Sequence, residues 1–179
     1  MNANQQLELI LGNARRLFAD AELLFDHQRY ASAFALAVLG LEEIGKALLK
    51  YWNAQRPLPN KANASAHIRK QAAVSSLLLG ALVVRRFPNG VDLDTVDFSA
   101  VTREFNDSEE GRVFMAIQNR DLDRRKQNAL YQDDDLLTAV EDDFAEKHVG
   151  AIFNIALEAQ KAAINRIAQI GGRAFYELF

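Results

Sequence analysis

Glu42 and Glu43 stand directly behind the apolar run Ala31-Ser-Ala-Phe-Ala-Leu-Ala-Val-Leu-Gly-Leu41, and Lys46 follows one helical turn later. On a helix, a lysine three and four residues beyond two carboxylates can pair with both. On a solvated face such a pair contributes about 0.2–0.5 kcal/mol. The run before it leaves little solvated face, and a carboxylate withdrawn from water is costly unless paired and hydrogen-bonded. The cluster is therefore either a structural tie between helices or part of a site, and the tie is the more frequent use of such pairs.

A second constellation is Arg120-Asp-Leu-Asp-Arg124-Arg125-Lys126-Gln-Asn128-Ala-Leu-Tyr131, with four cations in seven residues. Cations at a helix end complement its dipole. Clustered arginines also grip phosphate oxygens through paired N–H groups. Tyr131 adds a stacking ring or a phenolic donor, and Asp133-Asp134-Asp135 suits the cap of a following helix. His67 and Lys70 lie one turn apart and read most simply as a polar first turn. His148, between Phe144 and Ala151 on an apolar stripe, reads as a hydrogen-bonded core residue.

A metal centre in a helical bundle calls for Glu-x-x-His on two helices. The residues three before His27, His67 and His148 are Leu24, Ala64 and Ala145, and there is no cysteine to supply a thiolate. Neither a metal nor a cofactor is expected from this pattern.

The elements that must position these groups follow from apolar spacing. At 179 residues the chain fits a single domain, 1–179, able to bury a core without disulfides. The absence of cysteine suits a reducing compartment, no basic-then-apolar leader opens the chain, and no run approaches the ~18 apolar residues of a membrane span. A cytoplasmic protein without a membrane partner is expected. The net charge of −3 argues against non-specific coating of nucleic acid but leaves room for a local basic site.

Leu7, Ile10, Leu11, Ala14, Leu17, Phe18, Ala21, Leu24 and Phe25 repeat every three or four residues and predict a helix from Gln5 to Asp26. A second helix, Tyr30 to Trp52, is apolar on most sides, which places it at the centre. A third is expected over Ala64 to Phe87, ended by Pro88-Asn89-Gly90. Residues 91–108 read as an irregular connection with one short helix near Ser99 to Phe105. Ser108-Glu-Glu-Gly opens a fourth helix to Arg125, and a long fifth runs from Asp134 to Ile170 before Gly171-Gly172. The expected fold is an all-α, up-and-down bundle of about five helices.

Three segments in order carry a resemblance: Ala31 through Glu42-Glu43-Ile-Gly45-Lys46-Ala, then His67-x-x-Lys70, then Lys126-Gln-Asn-Ala-Leu-Tyr131-Gln-Asp133. Over residues 10–165 the chain resembles the AbiV-type abortive-infection proteins, a branch of the HEPN superfamily, and the Glu-Glu-x-Gly-Lys segment is the most specific part. The resemblance implies a HEPN-like bundle, frequently a homodimer, serving in defence against phage. Many HEPN proteins are metal-independent ribonucleases. An arginine holds the scissile phosphate, and a histidine separated from it by four to six residues moves protons at the ribose 2′-hydroxyl.

Here no histidine follows Arg124 or Arg125 in that window, where Ala129 and Tyr131 stand instead. A phenol is a poor base at neutral pH. His67 or His148 can take the part only if the fold brings one close. The expected catalytic set is Arg124, Arg125, Asn128 and Tyr131, supported by Glu42, Glu43, Lys46, His67, Lys70 and Lys126. In it, Glu42 or Glu43 orients the Arg124–Tyr131 segment from the interior while Lys46 balances the charge. The leading expectation is an effector that arrests host translation by acting on RNA or the ribosome. The alternative is a non-catalytic HEPN scaffold that binds a phage-encoded protein or a partner subunit.

Overall fold

The computed structural model describes residues 3–55, 65–86 and 97–131, and every element in them is helical: α1 (Ala3–Asp26), α2 (Tyr30–Gln55), α3 (Ala66–Arg86), α4 (Phe98–Asp107), α5 (Glu109–Gln118) and α6 (Asp121–Tyr131). The first two elements form a helical hairpin. Ile10, Ala14, Phe18 and Ala21 recur at helical spacing along α1 and are all buried, as the apolar pattern requires. The turn is closed by the backbone: Gln28 N–H donates to Phe25 O and Arg29 N–H to Leu24 O, both at 2.9 Å. This is the Schellman pattern of a helix C-terminus, with Gln28 at φ 58° where glycine is usual.

α2 is the hub. It packs against α1, α3 and α6, and Phe34, Ala37, Val38, Leu41, Ile44, Leu48 and Trp52 lie within its buried surface. A helix with three neighbours has no face left for solvent over most of its length, which accounts for its apolar composition. Gly45 sets the spacing to α3. A Cβ at this position would fall inside the van der Waals envelope of the Lys70 carbonyl oxygen. The two backbones therefore approach as closely as a missing side chain allows, one turn from Glu42 and beside His67 and Gln71.

Side chains cap the starts of the next three helices. Ser65 Oγ accepts from Ile68 N–H at the start of α3, and Asp97 accepts from Ala100 N–H at the start of α4. Ser108 ends α4 and begins α5, accepting from Gly111 N–H at 3.0 Å. Phe105 and Phe114 pack edge to face across this junction.

Two expectations change. The connection after Pro88 holds a fuller helix, Phe98–Asp107, around the short one expected. The single helix expected from Ser108 to Arg125 is two, α5 and α6, broken where Arg120 takes φ 60°. A left-handed residue stops one helix, and Asp121 and Asp123 then supply the acidic first turn of the next. Arg124, Arg125 and Lys126 consequently lie inside α6 and not at a helix C-terminus. The helix expected from Asp134 to Ile170, with Asp133–Asp135, His148 and the apolar tail, lies outside the described residues.

Gly45→Ala must push α3 off α2, and overpacking of this kind lowers stability by about 3 kcal/mol. Gly12 is exposed in mid-helix with nothing within 4 Å of a Cβ. Gly12→Ala is therefore expected to raise stability by about 0.5–1 kcal/mol. Urea unfolding of both variants checks the contrast.

Candidate functional site

Glu42 points into the bundle, 2% exposed, and three helices meet at its carboxylate. From α3, His67 Nδ1 lies 2.5 Å from Oε2, and Gln71 Nε2 donates to Oε1 at 2.9 Å. From α6, Lys126 Nζ donates to Oε1 at 2.6 Å. Lys126 is 1% exposed, so this is a buried ion pair between residues 84 apart in sequence. Asp123 Oδ1 lies 2.9 Å from the same ammonium, an ion pair without hydrogen-bond alignment. Lys126 Nζ also comes within 3.4 Å of His67 Nδ1.

Packing dictates this convergence. Gly45 lets α3 come close enough for His67 and Gln71, one turn apart, to reach the same carboxylate. Leu122 and Lys126, also one turn apart, are the buried residues of α6, so the apolar side chain docks α6 on α2 and the lysine follows it inward. The aliphatic stem of lysine tolerates burial, and its charged head is stable there only because a carboxylate meets it.

The proton between Glu42 and His67 can be assigned from this geometry. A carboxylate oxygen and a ring nitrogen 2.5 Å apart must share a proton, and the acceptor-only carboxylate takes it from Nδ1–H. In a neutral imidazole the other nitrogen, Nε2, then carries the lone pair. The His67 side chain is 46% exposed, and Nε2 has no hydrogen-bond partner among the described residues. A buried carboxylate behind a half-exposed imidazole, held at one nitrogen only, is an arrangement that can accept a proton from a bound molecule.

The chain thus brings together Glu42, His67 and Lys126 of the expected set, and adds Gln71 and Asp123. Gln71 sits one turn beyond His67, and Asp123 one turn before Lys126. Helical spacing from residues already singled out was the one signal for either. The other expected residues lie elsewhere. Lys46 does not serve Glu42; both its contacts, at 2.9 and 3.1 Å, go to Glu43 at the rim. Arg124 is on the outer side of α6, 64% exposed and bonded to Asp121 of its own first turn. Tyr131 is 76% exposed at the end of that helix, while Arg125, Asn128 and Lys70 are half-buried.

The family model described as AbiV, within the HEPN group, matches residues 2–139. The chain belongs to the AbiV family. No curated protein and no solved structure matches it. Membership makes this an abortive-infection, or defence, protein of helical HEPN type. Among the described residues no helix is long and apolar enough to cross a membrane.

Removing one partner from a buried pair strands the other charge. Lys126→Met in this AbiV protein is expected to cost about 3–5 kcal/mol. Lys46→Met removes a rim pair whose lysine is 39% exposed and is expected to cost less than about 1 kcal/mol. Chemical denaturation of the two variants side by side measures the difference.

Proposed function

We propose that this AbiV protein is an effector that arrests host translation by cleaving RNA, with His67 as the proton-accepting group. The observation that carries the reading is the Glu42–His67 pair, a half-exposed imidazole whose Nδ1 meets the buried carboxylate and whose Nε2 has no hydrogen-bond partner among the described residues. The usual HEPN histidine, separated from an arginine by four to six residues, is missing from α6. A histidine from α3 stands instead beside the helix that would have carried it, 3.4 Å from Lys126.

In this mechanism Nε2 takes the proton of a ribose 2′-hydroxyl as the oxygen attacks the adjacent phosphorus. The 5′-oxygen leaves with a proton from water. The products are a 2′,3′-cyclic phosphate and a 5′-hydroxyl. Glu42 stabilises the imidazolium that forms, as a buried carboxylate does behind a catalytic histidine. Arg124, Arg125 and Lys70 offer cations for the phosphates, Asn128 an amide, and Tyr131 an exposed ring on which a base can stack. A homodimer would set a second copy of these groups opposite the first.

The second reading is the non-catalytic scaffold that binds a phage protein or partner subunit. Two observations favour it. The buried cation Lys126 is already matched by two carboxylates and has none of its charge left for phosphate. Leu9 and Leu23, four turns apart on α1, are 62% and 60% exposed and offer an apolar surface.

Incubating the purified protein with total RNA in the presence of a chelator separates the two. Cleavage to 2′,3′-cyclic ends is expected, with His67→Ala slower by about 10²–10⁴-fold. Arg124→Ala and Tyr131→Ala are expected to weaken phage-dependent growth arrest with the fold intact. Intact RNA alongside full growth arrest would decide for the scaffold.

A further inference from the structure

Glu42, His67 and Asp123 each offer a ligand atom, and these atoms lie within 4.8 Å of one another. A histidine and two carboxylates in this disposition, one from each of three helices, form the kind of donor set that holds a divalent ion. The space among them is filled by the Lys126 ammonium, at 2.6 Å from Glu42, 2.9 Å from Asp123 and 3.4 Å from His67. These are hydrogen-bond lengths, well beyond the ~2.0–2.2 Å of zinc to nitrogen or oxygen. The cage is sized for an ammonium group.

We propose that Lys126 is the resident cation of this site, a positioning residue that stands where a metal would bind and thereby sets the tautomer of His67. The two occupants are mutually exclusive at Nδ1. A metal needs the Nδ1 lone pair, which moves the ring proton to Nε2 and removes the outward acceptor. Lysine brings its own protons and leaves Nδ1–H to Glu42. Together with Gln71 it pins Oε1 by two donors, so that Oε2 is the oxygen turned toward His67. The catalytic consequence rests on the ribonuclease reading; the tautomer and the exclusion of metal do not.

The test uses the full ¹⁵N-labelled chain, with the His67 ring signals assigned by their loss in His67→Gln. Long-range ¹H–¹⁵N spectra of the wild type are expected to show a protonated Nδ1 and an unprotonated Nε2, unchanged by chelator or by one equivalent of zinc. In Lys126→Ala, zinc is expected to bind at least about 10-fold more tightly than in the wild type and to move the ring proton to Nε2. The wild-type spectra need no substitution and guard against a folding failure; in Lys126→Met, which fills the lost volume, His67 is expected to lose the single-tautomer pattern. A wild-type ring protonated at Nε2, zinc bound through Nδ1 of the wild type, or equal zinc affinity in wild type and Lys126→Ala would each overturn the proposal. Absence of RNA cleavage with the expected spectra would instead overturn the ribonuclease reading alone.

Discussion

Burying one carboxylate constrains everything around it. An ion taken out of water must recover several kcal/mol from partners placed in its own vicinity. Glu42 recovers it from three donors on two other helices: His67, Gln71 and Lys126. The requirement is reciprocal, because Lys126 is as deeply buried and depends on the carboxylates of Glu42 and Asp123. The same contacts that satisfy the charge tie α3 and α6 to α2 and orient the imidazole of His67. The structural tie, one of the two readings of the Glu42 cluster, is this set of bonds, and the proposed site is built on it.

Close approach of helices makes this economy of groups workable. Gly45 carries no side chain, and a Cβ there would meet the Lys70 backbone and hold α3 away. Leu122 brings α6 in from the other side. Between them the site needs no loop to position any of its polar groups. Groups held by helices keep tighter geometry than groups on loops. The left-handed Arg120 matters for the same reason, since it lets α6 start on a new axis after α5.

The architecture was legible wherever apolar periodicity was strong. The first two helices and their turn follow from the spacing around Phe18 and Phe34, and the all-helical class from the scarcity of proline and of strand-like alternation. The break at Asn119–Arg120 was not legible, because an arginine at positive φ carries no glycine-like mark in the sequence. For the site, helix two announced a costly carboxylate but not its partners. Local spacing pointed to Lys46, four residues from Glu42, whereas the observed cation is Lys126. A short-range rule favours the nearest opposite charge; the tertiary fold spends that lysine on Glu43 at the rim and brings another from 84 residues away. Nothing in the spacing of His67 reveals that it faces Glu42.

Membership of the AbiV family assigns the chain to abortive infection; the fold adds the buried Glu42–Lys126 pair on which the proposed site rests. Its strength can be measured without any substrate. A double-mutant cycle joining Glu42→Gln and Lys126→Met, read by equilibrium unfolding, isolates their interaction from the rest of the bundle. The account predicts a coupling of about 2 kcal/mol or more, with the double variant less destabilised than the two single effects together. A coupling near zero would show that the two groups do not meet in the folded protein, and would contradict the site as described.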